Sequence, residues 1–419
     1  MLEQVAGYRE VHLFDLSREF RFVEFVLVMF FFLFLLLRHK KMELNNSKKL
    51  LVLPIALPII GVLGGLLNGV GFVDIFQGLY LYTSPILVFY TCIWLNVELK
   101  DFNIIKYFVL IIYITNVPAW FYQVVTFYSF DGNGDNVNGL LRDAHLFANF
   151  FYFGVIYCFA MSIIYKKMMW GVMAIICFAI GFMAINEKAT LFLIPILIII
   201  LIMFTGIKLK RLIIPLAVFG VIGYTAFTIG SNIMAKTDTK FRTDVFEEND
   251  LSDIGTIVAY IQIPFVFAEV PSALVYGVGA GNYGSSIALR RHVEGTETEL
   301  SKRYVGDLEL AGYVGAFAWR TNYLIGALVE FGLIFTGIFL LFYTRLARNL
   351  ISRIKLTSNK DELAIIAFTL GSLALLWMTA LVSNISNLDE GILVYPIIIS
   401  AAILYNHQLK KIGNPVATT

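Results

Sequence analysis

The chain has 419 residues, 58% hydrophobic and 15% charged, with a mean hydropathy of +0.77 and a formal net charge of +2. Soluble domains carry about 25% charged residues, so the composition excludes an ordinary soluble enzyme and indicates an integral membrane protein. The net charge names no partner, because in such a chain the distribution of charge matters more than its sum; no nucleic-acid partner is read.

A bilayer core of about 30 Å needs roughly 20 apolar residues in a helix. In chain order the segments that meet this demand are 20–37, 50–67, 75–95, 104–128, 146–165, 168–186, 189–206, 212–231, 321–344, 363–383 and 390–405. That is about eleven spans, or ten to twelve if short or proline-bearing segments are read differently. The N-terminal "MLEQVAGYREVHLFDLSREF" lacks a basic n-region and a small-residue cleavage site, so no removable signal peptide is read. Cys92, Cys158 and Cys177 all fall inside apolar runs, which argues against a disulfide framework or a metal-thiolate site. The expected fold is therefore an all-α integral membrane protein with three divisions. These are residues 1–231 with about eight spans, one large loop over 232–320, and residues 321–419 with about three spans and a tail.

Lys and Arg set the orientation. Taking the short loops alternately from "RHKKMELNNSKK", one side collects nineteen basic residues and the other five, with the long segment 232–320 set aside. This places the C-terminus in the cytoplasm and the large loop outside. Within that loop, "DIGTIVAYIQIPFVFAEVPSALVYGVGAGN" is apolar enough to lie along the membrane surface or pack over the bundle. No internal repeat of the kind common in transporters is seen.

The loop also contains Gly279-Ala280-Gly281-Asn282-Tyr283-Gly284, which fits G-x-G-x-x-G. A dinucleotide site needs a βαβ unit around that pattern and an acidic residue about 20 positions on. Glu299 lies near that distance, but no alternating strand and helix pattern surrounds it. The glycines read instead as a tight turn that permits close backbone approach, or as a row of amides facing an anion. The two readings are compatible.

The same stretch, "VPSALVYGVGAGNYGSS", with "TNYLIGALVEFGLIFTGIFLL" some forty residues later, resembles the outer-face signature of the O-antigen polymerase and ligase superfamily. Gly277, Gly279, Gly281 and Asn282 match that family's turn; Asn322, Tyr323, Leu324, Glu330, Gly332 and Leu333 match the helix that follows. Weaker matches are "INEKATLFLIPILII", with Lys188 where the family has Arg, and "GLLRDAHLFANFF". The chain departs at Arg320-Thr321, where ligases carry a His important for catalysis, and this shifts the resemblance toward Wzy-type polymerases.

The resemblance implies a GT-C-like architecture in a bacterial inner membrane, with the large loop in the periplasm. It further implies transfer of a glycan from a polyprenyl-diphosphate-linked oligosaccharide to the sugar hydroxyl of another repeat unit. The partners expected are that lipid-linked donor, the bilayer and a chain-length regulator protein. Ligation of glycan to lipid A core or protein is the alternative reaction, and a lipid-linked oligosaccharide flippase is the alternative class. Because the leaving group is a diphosphate, fixed cations can stabilise the developing charge, and Arg suits phosphate oxygens because of its planar fork. No metal-ligand spacing is present, and the first outer loop "LNGVGFVD" lacks an Asp-x-Asp or Glu-x-Asp pair, so no cofactor or metal is expected.

Arg142, Lys188, Arg290, Arg291 and Arg320 are the expected diphosphate contacts, and His145 and His292 the candidate bases. Each has a plainer reading. Arg142 with His145 can cap and snorkel at a helix entry beside Asp143, Lys188 can pair with Glu187, and Arg320 beside Trp319 can anchor at the interface. The cluster Arg290, Arg291 and His292 can be solvated loop charge. Arg242, with Lys240, faces neutralising acids at Glu247, Glu248 and Asp250. Arg242, Gly279, Gly281, Asn282, Asn322, Tyr323 and Glu330 are the expected substrate-binding positions. Glu330 is set apart because an ionisable group well inside a span is expensive; a structural partner, such as an outer-face cation, is as good a reading as a direct role.

Overall fold

In the computed structural model of the chain, the residues described are 26–34 in part, 48–127, 139–141, 144–183, 187–206, 255–284, 298–304, 322–382 and 391–413. Among them there are helices and no strands. In chain order these are α1 (Lys48–Leu67), α2 (Phe72–Trp94), a 3-10 turn (Leu99–Asp101), α3 (Phe102–Phe127), α4 (Ala144–Tyr165), α5 (Met168–Met183) and α6 (Glu187–Thr205). There follow α7 (Gly255–Glu269), α8 (Ala273–Tyr276), α9 (Glu299–Tyr304), α10 (Tyr323–Ile354), α11 (Lys360–Val382) and α12 (Gly391–Gly413).

Within hydrocarbon a helix satisfies its own backbone, which is why near-continuous apolar runs adopt it and why proline is tolerated there. Pro85, Pro118, Pro195, Pro264 and Pro396 all lie inside helices. Among the described residues, Phe72–Trp94, Leu99–Val125, Leu146–Tyr165, Tyr323–Ile354 and Lys360–Leu381 are long and apolar enough to cross a membrane. Ile55–Leu67, Met168–Phe182 and Phe192–Thr205 are shorter apolar helices. Only 17% of the Leu99–Val125 window is buried. So α3 turns most of its circumference, including Ile104, Tyr107, Ile111, Ile114 and Phe121, away from the protein. Such a surface suits lipid and not water.

Helices occupy nine of the expected segments, and two run well past the expected end. The segment 390–405 continues as helix to Gly413. The segment expected to end at 344 continues as helix through Arg345 and Arg348 to Ile354. A helix needs apolar residues only while it is in hydrocarbon, so it can run on past the boundary. The expected span 212–231 and most of 20–37 lie outside the described residues.

The described residues pack as two units that cut across the three sequence divisions. One is built from Asn103–Asn249 and Ser358–Ser372; the other from Ser17–Phe102, Asp250–Thr357 and Leu373–Thr419. In the first, α5 folds back on α4, and α6 also packs on α4. In the second, α2 packs with α12 and α1, while α8 and α1 both lie against α10. Tyr82 of α2 is the centre of an aromatic cluster there, with ring centroids 4.6 Å from Tyr323, 5.2 Å from Phe331, 6.0 Å from Phe335 and 5.7 Å from Phe339. Offset aromatic pairs at these separations contribute about 0.5–1.5 kcal/mol each beyond their burial, so the start of α10 is firmly seated on α2.

Candidate functional site

The glycine turn is folded around a carboxylate from the protein itself. Glu330 is fully buried, at 0% exposure. Its Oε2 accepts from the Gly281 amide at 2.9 Å, and its Oε1 accepts from the amides of Gly284 at 3.0 Å and Tyr283 at 3.3 Å. Successive amides converging on one anion form a nest. A buried carboxylate is tolerable only when hydrogen bonds replace its lost hydration. The anion that these amides face is thus Glu330.

The contact requires α10 to break. Gly332 has φ 80° and ψ 176° inside an otherwise helical run. The carbonyls of Val329 and Glu330 at the break accept from the amides of Val278 and Gly279, both at 2.9 Å. Gly277, at φ 79°, lies against it. A Cβ on Gly277 would strike the Glu330 carbonyl, and one on Gly332 would strike the Val275 carbonyl. Both positions combine a left-handed backbone with contact too close for any side chain.

Side chains satisfy the other face of the turn. Asn68, just past α1, donates to the Gly277 carbonyl at 3.1 Å. Asn282 donates through Nδ2 to the Val278 carbonyl at 2.7 Å. Thr298 Oγ1 donates to the Asn282 carbonyl at 2.8 Å and Ser301 Oγ to the Tyr283 carbonyl at 2.7 Å, which ties α9 to the turn. Asn322 is the N-cap of α10: its Oδ1 accepts from Ile325 at 2.9 Å while Nδ2 donates to the Leu381 carbonyl at 3.1 Å. Tyr323 donates to the Leu81 carbonyl at 2.9 Å. The expected substrate-binding positions Gly279, Gly281, Asn282, Asn322, Tyr323 and Glu330 are therefore brought together, and the hydrogen bonds just described hold the turn and the start of α10 in place.

Beside the turn, the exposed side chains of α7 and α9 form a small polar group. Arg303 bridges Glu269 at 2.7 Å and Tyr304 donates to the same carboxylate at 2.8 Å. The bond to Glu269, with some burial and the carboxylate charge, raises the Tyr304 phenol above its ordinary range.

In the other unit, α4 and α6 start at the same end. A Cβ on Gly371 of α11 would lie 2.7 Å from Ile156, 2.9 Å from Ile200 and 3.5 Å from Ile196, so α4 and α6 meet α11 at one level. About three turns back from that level lies the first turn of each helix. His145 belongs to that turn of α4 and Lys188 to that turn of α6.

The approach to α4 is fixed by two buried amides of α3. Gln123 takes the Gly139 backbone in a paired contact, donating to its carbonyl at 2.8 Å and accepting from its amide at 2.7 Å. Asn116 accepts from Leu140 at 2.8 Å. Asn149, one turn beyond His145, is fully buried, and neither its Oδ1 nor its Nδ2 has a hydrogen-bond partner. Sequence reasoning passed over Asn116, Gln123 and Asn149. The available signal was polar side chains inside apolar spans, with Asn116 and Gln123 two turns apart on one helix face.

Arg142, Arg242, Arg290, Arg291, His292 and Arg320 lie outside the described residues, as do the side chains of His145 and Lys188. Among the described residues, no three of His, Cys, Asp and Glu come together in a way that could hold a metal ion. No model of a known protein family matches the chain, and no curated protein matches it significantly.

Proposed function

We propose that the chain is a polymerase of lipid-linked glycans. It would join one polyprenyl-diphosphate-linked repeat unit to the sugar hydroxyl of another, on the periplasmic face of a bacterial inner membrane. One observation carries this reading. The two stretches that resemble the O-antigen polymerase and ligase superfamily, separated by some forty residues, interlock through Glu330, Val329 and the amides of 278–284. Motif positions that are scattered in sequence thus serve one construction.

In this reaction the acceptor hydroxyl oxygen bonds to the donor's anomeric carbon as the bond from that carbon to the phosphate oxygen breaks. The hydroxyl proton passes to His145 or His292, and polyprenyl diphosphate leaves. Arg142, Lys188, Arg290, Arg291 and Arg320 are the proposed contacts to the leaving diphosphate, the step where electrostatic stabilisation counts most. The motif residues 277–284 and 322–332 hold the backbone of the turn and of the start of α10, and Gly279, Gly281, Asn282, Asn322, Tyr323 and Glu330 are the proposed substrate-binding positions on that frame. Asn149 offers an unused donor and an unused acceptor to a sugar hydroxyl.

A broken helix is also a feature of transporters, and a flippase is the second reading. In transporters, however, the freed backbone groups at such breaks face the substrate or ion. Here Val278 and Gly279 occupy the carbonyls of Val329 and Glu330, which favours a fixed frame over a moving gate.

Gene deletion separates the alternatives. Loss of a polymerase leaves single repeat units attached to their final carrier, loss of a ligase leaves none, and loss of a flippase leaves repeat units stranded on the cytoplasmic face. Either of the last two outcomes refutes the proposal.

A further inference from the structure

The turn and the short helix before it sit at a depth that the loop as a whole does not suggest. Arg345 follows Gly332 by about four turns of α10, or ~20 Å at ~1.5 Å per residue. With Arg345 at one boundary of a hydrocarbon core of about 30 Å, Gly332 lies ~10 Å inside the other. A second ruler agrees. Gly61 of α1 is level with Phe331, its Cβ position 3.5 Å from that ring. From there α1 runs only ~10 Å further before ending at Leu67. Val275 and Gly277 touch α10 at Gly332 and Glu330.

We infer that residues 273–284 form a re-entrant segment lodged in the hydrocarbon of the leaflet that α10 enters at Asn322, with Leu274 and Val275 facing lipid. The occupant of that face is the acyl chains of the bilayer. Leu274 and Val275 are 43% and 48% exposed, and the α10 residues beside them, Leu333 and Ile334, are 55% and 50% exposed. Leu63 of α1 continues the same apolar surface, next to Gly64, which packs on Tyr276. Among the described residues, 273–284 itself carries no charged side chain, and Glu269 precedes it while Glu299, Lys302 and Arg303 follow it.

Backbone accounting is an independent argument. Irregular backbone at membrane depth must have its polar groups satisfied by protein, since no water is available. The amides of Gly277, Val278, Gly279, Gly281, Asn282, Tyr283 and Gly284 all donate to protein acceptors. The carbonyls of Gly277, Val278, Gly279, Asn282 and Tyr283 all accept from protein donors. A solvated turn has no need of so many partners within the protein. The buried carboxylate of Glu330 follows from the same demand: three amides of the segment have no helix or strand partner, and one side chain serves them all.

The inference rests on the membrane-spanning character of α10 and not on the proposed reaction. It is tested on the full-length protein in lipid nanodiscs with nitroxide labels on single-cysteine variants Leu274→Cys and Val275→Cys. Ile334→Cys supplies the reference for lipid and Glu299→Cys, at a side chain 84% exposed, the reference for water. Collisional accessibility to a water-soluble nickel chelate and to oxygen is measured at each site. The labels at 274 and 275 are expected to lose nickel accessibility to the Ile334 level and gain oxygen accessibility with it. Values nearer to those of the Glu299 label overturn the inference. A second readout avoids cysteine chemistry. Leu274→Trp fluorescence should be quenched by lipids brominated on their acyl chains as strongly as that of Ile334→Trp; quenching as weak as that of Glu299→Trp would equally overturn it.

Discussion

Glu330→Gln is the most informative single substitution, because it keeps the side-chain shape and removes the charge that the nest faces. The carboxylate accepts on both oxygens, from Gly281 on one and from Tyr283 and Gly284 on the other. A glutamine offers one carbonyl oxygen and one NH2 group, so at least one amide then meets a donor. Losing one hydrogen bond to a charged group costs about 1.5–3 kcal/mol, and leaving a buried donor unsatisfied costs about 1–3 kcal/mol. These overlap, and we expect about 3 kcal/mol in all. With an unfolding entropy of ~2 cal/mol/K per residue, that corresponds to a fall of roughly 3–4 °C in Tm. The assay is thermal unfolding of the purified protein in nanodiscs. Glu330→Leu should melt lower still, because it leaves all three amides bare. If Gln melts within a degree of wild type, or if Leu matches it, the carboxylate does not hold the turn and the reasoning fails.

Further outcomes follow from the same contacts. Gly277→Ala and Gly332→Ala should each reduce the yield of folded protein severely, since a left-handed backbone costs about 1–3 kcal/mol for a side-chain-bearing residue and each Cβ would also strike a carbonyl; size-exclusion profiles of fluorescent fusions will show this. Asn322→Ala should lower stability by about 0.5–2 kcal/mol through loss of the cap, and Asn322→Asp, which keeps the cap acceptor but turns an oxygen toward the Leu381 carbonyl, should recover only part of it in the same melt. Asn149→Leu removes an unpaired buried amide, so stability should hold or rise while polymerisation falls; unchanged activity would remove Asn149 from the site. Lys188→Ala should cut turnover by about 10²–10³-fold if the ammonium stabilises the leaving diphosphate, and Lys188→Arg should restore a large part of it in a turnover assay with lipid-linked repeat units.

Much of the helical frame is legible because membrane helices are written as long apolar runs. Segment 168–186 became Met168–Met183 and 146–165 became Ala144–Tyr165. The end of α10 was missed because hydropathy drops at Arg345 while the helix does not stop there. The glycine turn shows a different limit. The sequence displays amides suited to an anion, and it displays a carboxylate too deep in a span to stand alone. Nothing local joins them, because the hydrogen bonds connect residues more than forty positions apart. The outer-face cations were the obvious partners for Glu330; they lie outside the described residues, and the partners seen are the backbone amides of a turn. Asn116 and Gln123 stand out as polar residues in an apolar span, but their role was not legible for a related reason: what they bind is backbone, at Gly139 and Leu140, and backbone carries no sequence signature.

In the proposed reaction, fixed cations of the chain stabilise the departing diphosphate, with no metal needed, as glycan passes to the hydroxyl of another lipid-linked repeat unit. The most direct measurement is incubation of the purified protein with radiolabelled lipid-linked repeat units in excess EDTA, resolved by size. The expected outcome is a ladder of products spaced by one repeat unit, with one polyprenyl diphosphate released per step. A single band from an active substrate preparation, or a ladder that appears only when divalent metal is returned, would contradict it.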